Sequence, residues 1–181
     1  MLTYPNDDDA ITYLFALIVE RYGFSWLEEL IKQDVKWVRG TTTPTILIAD
    51  AHNQTSTSAL TFTTFGFRNA PNFIVSREPE APEQYMSWTQ TAAIFAGSTR
   101  PESAKLFVAW LLSDEVQRPI VEQGTAVVRK SLDEGKLYGS NGTQVEGFRV
   151  FMNDRKVVDW WKLQFETSLG TAQGVSPLEI Y

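Results

Sequence analysis

Asp7-Asp8-Asp9 sets three consecutive carboxylates ahead of one apolar run, and Arg39-Gly40-Thr41-Thr42-Thr43-Pro44 sets a guanidinium and three hydroxyls ahead of another. These two segments hold the residue types that could do chemistry. Clustered carboxylates suit a hard cation or an amine-bearing ligand. They equally cap helix N–H groups and sit in water. Arginine and threonines at a helix start suit a carboxylate or phosphate, and the same residues read as an ordinary N-cap beside a solvated arginine. Both readings stay open for each segment. If the two face one cleft, its ligand is small, polar and bears both signs.

Other chemistries lose their support. His52 is the lone histidine and the chain has no cysteine. That removes two-histidine metal sites, thiolate zinc, iron–sulfur clusters and cysteine nucleophiles. Beside Asn53, His52 reads as a solvated surface residue. No G-x-S-x-G, G-x-x-x-x-G-K-[ST] or G-x-G-x-x-G occurs, so serine hydrolase, P-loop and Rossmann readings fail. No catalytic residue, cofactor or metal ligand is assigned, which argues against an enzyme and, with the resemblance given below, for a binding protein. The rival is a carboxylate-based hydrolase, since paired carboxylates are present. Asn53-Gln54-Thr55 and Asn141-Gly142-Thr143 match the glycosylation acceptor pattern.

Behind these segments stands ordinary globular composition. The 181 residues are 43% hydrophobic and 13% aromatic, with six Trp and a net charge of −6. Such a chain can bury a core. Its acidity argues against nucleic acid and anionic membranes, which need clustered Lys and Arg. The longest apolar stretches, Ala10–Val19 and Phe107–Leu112, fall short of the ~20 residues needed to span a bilayer, so no membrane insertion is expected. Met1–Pro5 has no basic stretch leading into an apolar one, so a signal peptide is absent or already removed.

The elements that must position the two segments follow from periodicity. Pro5–Asp9 turns into a helix carrying Ile11, Leu14, Phe15, Ile18 and Tyr22, ended by Gly23. Ser25 and Glu28 form a capping box for a second helix that buries Leu27, Leu30 and Ile31. Val35–Val38 is a strand. A threonine cap with Pro44 in the first turn starts a helix to Ala51. Strands are expected over 59–67, 73–76, 92–96 and 126–129. Glu78–Glu83 is a loop, and Ser131–Gly147 is polar and glycine-rich. The helix opened by Pro101 is expected to bury Ala104, Phe107, Val108 and Leu111. Asp114–Gln123 is helical, and a last helix from Asp154 to Leu169 carries Val157, Val158, Trp161 and Phe165 on one stripe. One ring of Trp160-Trp161 packs in the core and the other covers an interface. Strands alternating with helices predict an α/β class.

Three stretches carry a resemblance. Tyr4–Pro44 (YPNDDDAITYLFALIVERYGFSWLEELIKQDVKWVRGTTTP), Ala93–Gln117 (AIFAGSTRPESAKLFVAWLLSDEVQ) and Trp160–Tyr181 (WWKLQFETSLGTAQGVSPLEIY) resemble type 2 periplasmic binding proteins. The likeness is to the fungal and bacterial substrate-binding components of ABC-type iron(III) transport systems. It implies a mixed-sheet lobe, incomplete at the N-terminal side. Residues 1–75 would form a second-lobe segment. Residues 76–181 would form the hinge return and the C-terminal helices of the first lobe.

The resemblance also implies an extracellular or periplasmic protein that binds a small polar solute between lobes and meets a membrane transporter. Iron-binding members use a tyrosine pair where this chain has Thr61-Phe62-Thr63-Thr64-Phe65, so ferric iron is not the expected ligand. Apolar surface left by a missing portion makes a homodimer plausible, and a fragment with no ligand function of its own is the third reading. Ligands of such proteins lie against second-lobe helix N-termini. Asn6, Asp7, Asp8, Arg39, Thr41 and Thr42 are therefore expected to border one concave surface, with Arg39 solvent-accessible and dispensable for folding.

Overall fold

The computed structural model describes residues 1–52, 60–63, 75, 77–122, 126–133 and 142–175. About half of these are helical. Two short strands, β1 (Leu2–Thr3) and β2 (Trp37–Val38), pair in parallel, Leu2 beside Trp37 and Thr3 beside Val38. Parallel partners need a long crossover, which α1 (Asp9–Tyr22) and α2 (Phe24–Ile31) provide. The fold is thus α/β in character but mostly helical. The larger mixed sheet expected from the sequence is replaced, among the described residues, by this one pair.

The first helix forms as its sequence dictates. Asp8 is the N-cap, its Oδ1 accepting from the N–H groups of Ala10 and Ile11 at 2.8 and 2.9 Å. Ile11, Phe15, Ala16 and Val19 are buried on one face. Gly23 ends the helix, its N–H donating to Val19 O at 2.7 Å. The expected capping box is corrected: α2 starts at Phe24, so Ser25 lies inside the first turn and no side chain caps the helix. Leu27 is buried, with Leu30 and Ile31 packed beside it.

The core closes with the far end of the chain. Helix α7 (Arg155–Leu169), capped by Asp154, brings Val158, Trp161 and Phe165 inward. Val157, expected on the same stripe, is instead exposed. Phe15 sits at the centre, its ring 5.2 Å from Phe62, 5.9 Å from Phe165, 6.1 Å from Trp26 and 6.2 Å from Trp37. Phe15 and Phe165 are fully buried, each worth about 1.5–3 kcal/mol. Trp161 is buried while Trp160 stays half-exposed.

Helix α6 (Gly147–Asn153), which starts where the polar, glycine-rich stretch Ser131–Gly147 ends and was not expected, packs Phe148 and Phe151 against Tyr13 at 5.7 and 4.9 Å. A Cβ on Gly147 would run into Tyr13 Oη, so any other residue here forces the Tyr13 ring to shift. The chain at Tyr85–Trp88 runs beside it. Tyr85 N–H donates to Gly142 O at 2.8 Å, and the Ser87 and Thr143 hydroxyls share a proton at 2.6 Å.

Helices α4 (Pro101–Leu111) and α5 (Asp114–Glu122) pack on each other. Gln117 joins them to the following segment: its amide donates to Leu111 O and accepts from Val128 N–H. The burial expected for α4 does not occur. None of its residues is buried; Phe107 is 56% exposed, and Ala104, Val108 and Leu111 are only half-buried. The strands expected over 92–96 and 126–129 are also absent. Both segments run without ladder partners, and a strand with no neighbour gains no hydrogen bonds. Residues 60–63 are not paired either. The rest of the 59–67 strand, most of the 73–76 strand, Asn53, Asn141 and the side chain of His52 lie outside the described residues.

Candidate functional site

In a parallel pair, the loops leaving both strands emerge at the same edge, and in α/β proteins that edge is where ligands bind. Here β1 leads through Tyr4–Asp8 into α1, and β2 leads through Arg39–Thr42 into α3 (Thr43–His52). The two segments singled out by their chemistry are therefore neighbours in the fold. Asp7 joins them with both oxygens. Arg39 Nε donates to Oδ1 and Gly40 N–H donates to Oδ2, each at 2.7 Å. The Asp7 side chain is only 7% exposed and that of Arg39 29%. Arg39 is thus half-buried in a brace, where a solvent-accessible side chain was expected.

The surrounding bonds hold this junction from several sides. Thr3 Oγ1 donates to Gly40 O at 2.8 Å, tying β1 to the loop after β2. Gly40 takes φ +86° to present its N–H to Asp7 and its carbonyl to Thr3. That is a left-handed conformation costly for other residues. Thr63 Oγ1 donates to Thr41 O at 2.5 Å. Thr42 supplies the carbonyl that takes the Ile46 N–H, so it occupies the cap position of α3. Thr41 and Thr42 are half-buried.

Asn6 turns the other way. Its amide donates to Gly170 O, just past α7, at 3.2 Å, while its Oδ1 is buried with no hydrogen-bond partner among the described residues. Thr45, buried in the first turn of α3, has an equally unpartnered Oγ1.

Each carboxylate of the Asp7–Asp9 run has its own structural task. Asp7 holds Arg39 and Gly40. Asp8 caps α1, and burial chiefly, with Asp7 nearby, raises its pKa above the ordinary aspartate value despite the two N–H donors. Asp9 faces α7, 2.6 Å from Arg155 Nη1 and 2.7 Å from Lys162 Nζ. Partial burial pushes Asp9 upward, but hydrogen bonds and charge from Arg155 and Lys162 outweigh it and lower its pKa. No set of three ligating side chains that could hold a metal ion occurs among the described residues. The run is read more simply as a cap flanked by two ion-paired carboxylates than as a cation mouth.

The sequence reading missed the role of α7. Nothing in the spacing of Arg155 and Lys162 announced Asp9 as their partner, because the pairing spans 146 residues. Gly170 as the acceptor for Asn6 was equally hidden. A shallow cleft of about 500 Å³ runs along Arg77, Glu78, Pro79 and Glu80, and no junction residue lines it. No helix among the described residues is long and apolar enough to cross a membrane. No protein-family model matches the chain, and no curated protein matches it at significance.

Proposed function

We propose that the chain is a non-catalytic α/β binding module that takes a small polar solute at the junction of the β1–α1 and β2–α3 loops. One observation carries the reading: both strand-following loops meet at one edge, where Asp7 is braced by Arg39 and Gly40, with Asn6, Thr41 and Thr42 next to these residues in the chain. Asn6 Oδ1, buried and without a partner among the described residues, is an acceptor beside this edge that a donor-bearing guest could satisfy, and a buried acceptor left unmade costs about 1–3 kcal/mol. Asp7 and Arg39 neutralise each other, so the solute is uncharged or zwitterionic. A simple anion would have to displace Asp7 from Arg39. The structural engagement of Asp7, Asp8 and Asp9 favours binding over carboxylate-based hydrolysis. The likeness to type 2 periplasmic binding proteins adds the proposal of an extracellular or periplasmic setting and a transporter partner.

Melting curves in the presence of free amino acids, polyols and monosaccharides test this. One class should raise stability saturably, by about 2.7 kcal/mol at ~100 times its Kd. Thr42→Ala should weaken that binding about five- to tenfold, the worth of a neutral hydrogen bond. No stabilisation by any class, or stabilisation untouched by both Thr42→Ala and Asn6→Ala, would overturn the site. Turnover of ester, glycoside or phosphate substrates that Asp8→Asn abolishes would favour the hydrolase. A second reading, a part of a larger assembly with no ligand of its own, is favoured by the uncovered apolar face of α4.

A further inference from the structure

We draw no further inference here: the strongest candidate, the exposed apolar face of α4 around Leu106, Phe107 and Trp110, carries nothing because nothing in the structure shows what covers it.

Discussion

Removing the Arg39 guanidinium leaves the Asp7 carboxylate nearly buried with, among the described residues, the Gly40 N–H alone to answer it. Arg39→Ala is therefore expected to cost about 1.5–3 kcal/mol, the range for a charged hydrogen bond, read as a lower denaturant midpoint. An unchanged midpoint would mean that the brace is ornamental. Asp9 gives a pH signature. Its folded pKa is lowered, so the folded state holds its proton less tightly than the unfolded chain does. The stability from Asp9 is thus complete above the ordinary aspartate range, and is lost as pH falls through the lowered folded value. Asp8, raised by burial, runs the other way and loses stability as pH rises through its own value. Asp9→Asn should cost about 1 kcal/mol at pH 7, as exposed pairs do, and should flatten the fall in stability below roughly pH 4. An acid limb with the same slope in the variant would rule out the pairing with α7. Asn6, Asp7, Asp8, Arg39, Thr41 and Thr42 were legible as polar residues at two helix starts. That Asp7 answers Arg39 was not, because charge type says who could pair and only the strand pairing says who meets.

At the level of elements, the order α1–α2–β2–α3 could be read directly, whereas the two-residue β1 was not expected. Apolar residues at helical spacing, an aspartate cap, a terminating glycine and a proline in a first turn are local signals, and local signals survive into the fold. The strands expected at 92–96 and 126–129 failed for the converse reason. A short apolar run resembles a strand whether or not a neighbour exists to pair with it, and the neighbour is a tertiary fact. The close packing of α6 on α1 was also illegible, since it rests on one glycine facing one tyrosine across the chain. Gly147→Ala should destabilise the protein by about 1–3 kcal/mol, as overpacking does. Adding Tyr13→Phe removes the oxygen that the new methyl meets and should recover much of the loss. Thermal unfolding of the two variants and their combination checks this, and a strictly additive result would refute the contact.

Across the whole molecule, burial concentrates where α1, α2 and α7 surround Phe15, and thins out over α4 and α5. Leu106 is 73% exposed. Leu106→Glu should therefore shift unfolding by no more than about 0.5 kcal/mol, whereas Phe165→Ala should cost about 3–5 kcal/mol. Comparable losses in the two variants would show that α4 belongs to the core after all. The long reach of that core was the least legible feature, because helical spacing in α1 and α7 marks an apolar face on each and does not name its mate. It also has a consequence in time. Asp9 and Arg155 are 146 residues apart, so at ~5–20 residues per second of synthesis the first helix waits about 7–30 s for the segment that covers it. During that interval Ile11 and Phe15 lack their lid, and a growing chain must be shielded or stay unfolded until α7 arrives.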